Sequence, residues 1–293
     1  MEAENDRRAV SVVIPAYDEE GAIAEVVAGV EQALRSLDSE WEILVVDDGS
    51  ADATAQRAQA AGAAVVSLPE NRGYGAALVA GIDRARYDRI VIIDADGTYP
   101  PEAIPRLLVH ADAYDMVVGA RVGENVAIPL ERRPAKWLLT HLASYLAGQP
   151  IPDLNSGLRV VQRSLVQRFA HLLPSGFSFT TTLTLAALCN GRPVRYEPID
   201  YHERQGESKI RPTHALEFLL LVLRTVVYFN PLKVFLPLGG IFFVGGFAKF
   251  VYDLFLGNLS ETAVLGFLGA ALLWAVGLLS DQIAKVGLAG RPR

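Results

Sequence analysis

Arg89-Ile90-Val91-Ile92-Ile93-Asp94-Ala95-Asp96-Gly97-Thr98-Tyr99-Pro100 is the stretch from which the rest of the chain can be read. Four consecutive apolar, mostly β-branched residues predict a strand covered on both faces. The strand runs directly into two carboxylates one residue apart, and Gly97 and the Pro100-Pro101 pair stop it. In open α/β sheets, ligands bind beyond the carboxyl ends of the strands. An Asp-x-Asp delivered there can fix a divalent cation. Asp and Gly also form ordinary acidic turns, so the neighbouring segments must decide between the two.

Moving outward, Val10 to Ile14 reads as a first strand ended by Pro15. The loop after it carries Tyr17, Asp18, Glu19 and Glu20, and Ile23, Val26, Val27, Val30 and Leu34 then recur at helical spacing. Glu42 to Val46 is a second strand, ending in Asp47-Asp48-Gly49-Ser50. Val65 to Leu68 is a short third. Asn71-Arg72-Gly73-Tyr74-Gly75 opens the next helix, where backbone N–H groups can face an anion or the glycines can simply serve a loop of positive φ. The Asp-x-Asp strand is the fourth, and Asp115 to Gly119 the fifth, closed by Ala120 and Arg121. Strand–helix alternation with short connections predicts a mostly parallel sheet with right-handed crossovers. Three acidic loops then share one sheet edge, and that convergence favours a site over three unrelated turns.

The 293-residue chain carries a net charge of −6, which argues against nucleic acid as a partner. Its single cysteine, Cys189, excludes an internal disulfide, and its apolar neighbours Leu185 to Leu188 make it a small core residue. Met1 to Arg8 places no apolar signal segment ahead of the first strand, so we expect the polar part in the cytoplasm. The positive mean hydropathy of +0.25 comes largely from the residues after Leu216.

Between these regions, Pro134 suits a helix start. The helix that follows would place Leu138, Leu139, Leu142, Ala143, Tyr145 and Leu146 on one side, for packing on its own domain or for a membrane surface. Arg132 and Arg133 flank it and are either solvated or available to an anionic head group. Asp153 to Arg159 reads as a polar loop before Val160 and Val161, and Val194 to Tyr201 as a further strand. That strand leads to His202-Glu203-Arg204-Gln205-Gly206-Glu207-Ser208-Lys209, whose cations suit a diphosphate. Thr213 to Phe229 is apolar around most of its circumference and reads as an interfacial helix or a buried bundle helix. After Asn230-Pro231, the segments Val234–Leu256 and Thr262–Lys285 each exceed the roughly twenty residues of a membrane span. Lys249 with Asp253, and Asp281 with Lys285, can snorkel or pair. Arg224 and Lys233 before the first span, and Lys285, Arg291 and Arg293 at and after the second, put both ends in the cytoplasm by the positive-inside rule. The glycine-rich spans permit close helix packing, such as a homo-oligomer would use.

Taken together, Pro15-Ala16-Tyr17-Asp18-Glu19-Glu20, Asp47-Asp48-Gly49-Ser50, Asn71-Arg72-Gly73-Tyr74-Gly75, Asp94-Ala95-Asp96 and Gly119-Ala120-Arg121 resemble the inverting glycosyltransferases of family 2. Asp153-Leu154-Asn155-Ser156-Gly157-Leu158-Arg159 and Arg204 to Lys209 are similar to its polyprenyl-phosphate branch, which includes dolichol-phosphate mannose synthase. The resemblance implies an α/β GT-A domain over residues 1–211, an amphipathic juxtamembrane helix over 212–232, and a two-helix transmembrane hairpin over 233–293. It implies transfer of a hexose from a nucleotide sugar, of UDP-glucose or GDP-mannose type, to undecaprenyl or dolichyl phosphate at a membrane.

By the same resemblance Asp94 and Asp96 would hold Mg²⁺ or Mn²⁺, a hard cation suited to carboxylate oxygens. Pro15, Tyr17, Glu19, Asp47 and Asp48 would contact the nucleotide, while Arg204, Ser208 and Lys209 would close over the donor diphosphate. Arg121, Arg132 and Arg133 would cradle the acceptor phosphate, and Asp153 would orient the sugar or act as a weak base. A phosphate acceptor is already largely ionised near neutral pH and needs little general-base help. The sequence departs from the mannose synthases at Thr98, where Gln commonly adds a metal ligand; a hydroxyl is shorter and weaker. A processive polysaccharide synthase is the nearest rival, but none of Trp41, Trp137 and Trp274 follows an Arg as its Gln-x-x-Arg-Trp motif requires. A non-catalytic anchor for nucleotide or lipid would not need the full set of acidic loops.

Overall fold

A computed structural model describes residues 8–122, 140–145, 147–176, 178–202, 214–257 and 260–289. Its centre is a seven-stranded sheet: β1 Val10–Ala16, β2 Trp41–Asp47, β3 Ala64–Ser67, β4 Arg89–Ile92, β5 Met116–Arg121, β6 Arg159–Gln162 and β7 Val194–Ile199. The strand order is β3-β2-β1-β4-β6-β5-β7. The helices of this part are α1 Ile23–Leu34, α2 Thr54–Ala60, α3 Tyr74–Arg84, α4 Ile104–Leu108, α5 Arg163–Phe169 and α6 Phe179–Cys189.

The β-branched runs explain the burial. All residues of β1 and of β4 are buried, and side-chain alternation divides them between two faces. Val10, Val12, Ile14, Val91 and Ile93 face one way, into a core shared with α1 and α4. Val13, Ile90 and Ile92 face the other, into a core with α3, α5 and α6. This is the doubly covered, mostly parallel sheet expected.

One strand departs from that expectation. β6 is antiparallel to both neighbours, pairing Val91 with Val160 on one side and Val117 with Val160 on the other. It is only four residues long and runs straight into α5, so no turn marks its C-terminal end in sequence. Its reversal has a functional consequence: the loop before it arrives at the same sheet edge where the parallel strands end.

The C-terminal part comprises α7 His214–Phe229, α8 Leu232–Leu256 and α9 Glu261–Ala289. α7 lays Thr225, Val226 and Phe229 against the rest of the protein, with Phe229 edge-on to Phe169 at 5.9 Å, while Leu220 and Arg224 stay exposed. Thr225, although polar, thus packs inward. Helical residues 140–145 contribute Ala143 to a small core with Ile151, Leu154, Leu185, Leu188 and Val226, and Val234 of α8 packs on its margin. Tyr145, placed with the apolar side by the wheel, is 59% exposed.

α8 and α9 form a hairpin long and apolar enough to cross a membrane, with mean hydropathies of 1.9 and 2.1 over stretches that are 11% and 17% buried in the protein. The backbones meet at Gly246 and Gly266: a Cβ on Gly266 would stand 2.6 Å from the Gly246 Cα. Those glycines serve contact within the chain. The expected i,i+4 pairs are both made, Lys249 with Asp253 and Asp281 with Lys285. Asp253 also accepts from the Ser260 N–H at 2.9 Å and from its hydroxyl, which ties the end of α8 to the start of α9.

Candidate active site

The first two acidic loops are stitched into one unit. Asp18 adopts a left-handed conformation (φ 52°), and its N–H donates to the Ser50 hydroxyl at 3.0 Å. The Ala51 N–H donates back to Asp18 Oδ1 at 2.9 Å, and the Glu19 and Glu20 N–H groups donate to Thr54 and Asp52. Asp48 binds the next loop, accepting from the Arg72 and Gly73 N–H groups at 2.8 and 2.7 Å.

These interactions settle what the glycine loop does. The Gly75 and Ala76 N–H groups, at the start of α3, donate to the Ser175 carbonyl at 2.6 and 3.1 Å. With Arg72 and Gly73 bound by Asp48, the donors expected to face an anion are already engaged by protein. A Cβ at Gly73 or Gly75 would strike the backbone of Ser175 or Pro174, so both glycines serve this close approach.

Asp94 and Asp96 follow β4 at the same edge. The Tyr74 hydroxyl donates to Asp94 Oδ1 at 2.8 Å, and the backbone of Gly157 lies against the same carboxylate, where a Cβ would not fit. Burial, and after it the Asp96 carboxylate, pushes Asp94 up to about 6. The Thr98 hydroxyl and N–H both donate to Asp96 Oδ1, at 2.6 and 3.1 Å. Thr98, weighed above as a doubtful metal ligand, is fully buried and off the cleft wall, with its hydroxyl turned to Asp96.

Opposite them stands Arg121. The Gly119 N–H donates to the Leu158 carbonyl at 2.9 Å and the Ser156 hydroxyl to the Gly119 carbonyl at 2.6 Å, which joins the end of β5 to the loop before β6. Arg121 consequently meets Asp153: Nε and Nη2 donate to the two carboxylate oxygens at 2.7 and 2.8 Å, and Nη2 also donates to Asn155 at 2.9 Å. Its guanidinium lies over the Tyr201 ring at 5.1 Å and the Tyr99 ring at 6.0 Å. Burial alone would lower the Arg121 pKa, but the Asp153 carboxylate outweighs it and holds the cation firmly charged. Among the described residues, Nη1 has no hydrogen-bond acceptor and is the donor left for a ligand.

The loops enclose a cleft of about 360 Å³. Pro15, Tyr17, Glu19, Asp48, Asp94, Asp96 and Arg121 all line it, as expected. Asp47 does not: it is 6% exposed and accepts from the Ser50 N–H at 3.1 Å, shaping its own turn. Asp153 is 1% exposed and off the cleft wall, with both oxygens accepting from Arg121, an arrangement that braces that cation. Arg132, Arg133, Arg204, Ser208 and Lys209 lie outside the described residues.

Two residues escape a reading by chemistry type. Tyr74, a loop aromatic, supplies the hydroxyl on Asp94. Arg159 is completely buried and donates to the Ser156 carbonyl, the Thr180 carbonyl and Thr184 Oγ1, clamping the turn that carries Gly157 onto α6. Burial pulls its pKa down, with no carboxylate in direct contact among the described residues. An arginine at the start of an apolar strand was the available signal.

The donor set suits a divalent cation. Two hard carboxylates stand one residue apart at the cleft, and Mg²⁺ sites commonly use one or two carboxylates completed by substrate phosphates. Among the described residues no third His, Cys, Asp or Glu joins them.

A strand-end Asp-x-Asp and a braced arginine on one cleft of a mostly parallel sheet are the arrangement that the resemblance to family 2 glycosyltransferases implied. Residues 11–169 match the model of glycosyl transferase family 2, and residues 230–286 match one described as the GtrB C-terminal hairpin. The chain belongs to glycosyltransferase family 2 and is an enzyme of that class. It is 32% identical over 305 residues to the undecaprenyl-phosphate 4-deoxy-4-formamido-L-arabinose transferase of Salmonella choleraesuis (strain SC-B67), spanning 97% of this chain and 91% of that one. Among solved structures, it is similar to glucosyl-3-phosphoglycerate synthase from Mycobacterium tuberculosis in complex with phosphoglyceric acid. That match has a TM-score of 0.60 at 25% identity, over 77% of this chain and 82% of the other. The same enzyme with Mn²⁺, UDP-glucose and phosphoglyceric acid gives 0.61 at 24% identity, with the same shares covered, a likeness of fold.

Proposed function

We propose that the protein transfers a sugar from a nucleotide sugar to undecaprenyl phosphate or a similar polyprenyl phosphate, with inversion, at the cytoplasmic face of a membrane. The observation that carries this reading is the placement of Asp94 and Asp96 across one cleft from a braced Arg121, on a chain that continues into an apolar hairpin. The relative's printed name supports the lipid acceptor. Its sugar is a modified pentose, so the expected hexose broadens to a sugar of either size.

In this reading residues 1–211 are the catalytic domain, 212–232 the juxtamembrane helix and 233–293 the membrane hairpin. Asp94 and Asp96 would hold Mg²⁺ or Mn²⁺, which supplies charge neutralisation for a diphosphate leaving group. Pro15, Tyr17, Glu19 and Asp48 form the nucleotide end of the cleft, and Arg204, Ser208 and Lys209 are proposed to engage its diphosphate. Arg121 Nη1, with Arg132 and Arg133, would receive the acceptor phosphate and screen two anions that otherwise repel each other. The acceptor oxygen is already ionised, so Asp153 acts by fixing Arg121 and no side chain needs to remove a proton. The hairpin holds the domain where a membrane-bound acceptor is presented.

The test is a panel of UDP- and GDP-sugars incubated with purified protein and undecaprenyl phosphate, scored for release of UDP or GDP and for sugar in the lipid phase. Lipid-dependent release supports the reading. Release that ignores the lipid would overturn the acceptor assignment.

A further inference from the structure

Each of the two metal-facing carboxylates is gripped by one hydroxyl from the protein. Tyr74 donates to Asp94 Oδ1 at 2.8 Å and Thr98 to Asp96 Oδ1 at 2.6 Å. We infer that Tyr74 and Thr98 are positioning residues which set how tightly the Asp94–Asp96 pair binds a divalent cation. The inference rests on the proposal that these two carboxylates hold such a cation.

The two hydroxyls are themselves held in place. Tyr74 is the first residue of α3, and the two residues after it are fastened through the Gly75 and Ala76 N–H groups to the Ser175 carbonyl. Its ring is therefore carried on an anchored helix start. On the other side of Asp94, the Gly157 backbone stands so close that no side chain fits, and the Gly157 N–H is fixed by the Tyr99 hydroxyl at 2.7 Å. Asp94 thus sits in a slot between a hydroxyl and a backbone.

Thr98 is pinned from three directions. Its hydroxyl and N–H both go to Asp96 Oδ1, and its carbonyl accepts from the His202 N–H at 2.9 Å, beside the end of β7. With its only O–H spent on Asp96 and no exposed surface, it orients that carboxylate without itself facing the cleft.

The physical effect follows from pre-organisation. A carboxylate free to rotate must be ordered when a cation binds, whereas one already held by a hydroxyl is not. Groups that hydrogen-bond to metal ligands are worth roughly 10–100-fold in metal affinity. Where only two protein carboxylates are brought together among the described residues, that orientation weighs more than it would in a site with three or four. The chain thereby reaches with hydroxyl donors what an additional ligand would otherwise supply.

The experiment titrates Mn²⁺ into full-length detergent-solubilised protein with UDP or GDP present, reading free Mn²⁺ by electron paramagnetic resonance. Thermal unfolding is followed by circular dichroism on the same samples. Thr98→Val keeps shape and removes the hydroxyl, Tyr74→Phe removes the other, and Thr98→Ser restores an O–H. We expect Thr98→Val and Tyr74→Phe each to weaken Mn²⁺ binding about tenfold or more, and Thr98→Ser to stay within about threefold of wild type, at unchanged unfolding temperature. Wild-type affinity in both hydroxyl-deleted variants overturns the inference. So does a loss that tracks a lowered unfolding temperature, which would make the role structural. If wild type does not bind Mn²⁺, or Asp96→Asn binds as well as wild type, the metal assignment itself is wrong and the inference falls with it.

Discussion

Arg121 grips both oxygens of Asp153, at 2.7 and 2.8 Å, with the arginine on the wall of the cleft and the aspartate 1% exposed behind it. The pair joins residues 32 positions apart, and β6 makes it possible by running against its neighbours and returning the chain to the edge where β5 ends. Breaking one side of such a buried pair strands the other charge. Asp153→Ala is expected to destabilise the protein by about 3–5 kcal/mol. Removing both charges in Arg121→Ala with Asp153→Ala should recover much of that stability and none of the transferase activity. Thermal unfolding with activity assays on the four-member cycle separates these effects; full stability in the single variant would contradict the buried pairing.

Gly157 brings backbone against Asp94 where any side chain would collide with the carboxylate. Gly157→Ala is expected to lower kcat/KM by at least about a hundredfold, because small displacements at a reacting centre cost that much. Steady-state kinetics with saturating lipid checks this. Near-normal turnover would show that Asp94 tolerates displacement.

Cys189 offers a test through pH. Burial pushes its thiol up to about 11, although Lys233 acts in the opposite direction. Since the thiolate is the reactive form, a raised pKa leaves less of it at neutral pH than an ordinary thiol near 8.5 would have. Iodoacetamide should modify the folded protein very slowly at pH 7.5, with the rate rising about tenfold per pH unit through pH 9. A rate that levels off near pH 8.5 would indicate an exposed, ordinary thiol.

The hairpin makes a paired prediction. Gly266 packs on Gly246, whereas a Cβ on Gly245 meets nothing within 4 Å. Close small-residue contact is a main source of helix association in lipid. Gly266→Val should therefore lower the unfolding temperature in detergent, while Gly245→Ala leaves it unchanged. Equal effects would mean that α8 and α9 do not meet at that face.

Much of this arrangement was legible in the sequence, and its limits have physical causes. β1, β2 and β4 announce themselves because strands buried on both faces require unbroken apolar runs, and α8 and α9 because spans require length. The acidic loops were legible as a group because parallel strands deliver their ends to one edge. β6 was not, since four residues that run straight into a helix carry too little periodicity to show a strand or its direction. The Asp153–Arg121 pair and the Tyr74 hydroxyl on Asp94 were not, because each joins elements that only the folded sheet brings together. Asp47 shows the converse: the right residue type in the right loop, turned into its own hydrogen bond with Ser50.

The central claim is that Asp94 and Asp96 hold the cation on which sugar transfer to a lipid phosphate depends. Transfer of labelled sugar from the preferred nucleotide sugar to undecaprenyl phosphate, compared between wild type and an Asp96→Ala variant of unchanged unfolding temperature, tests it most directly. The account predicts transfer by wild type and a loss of about a hundred- to a thousandfold in the variant, of the order seen when a principal electrostatic stabiliser is removed. Transfer by Asp96→Ala at a rate near wild type would contradict it.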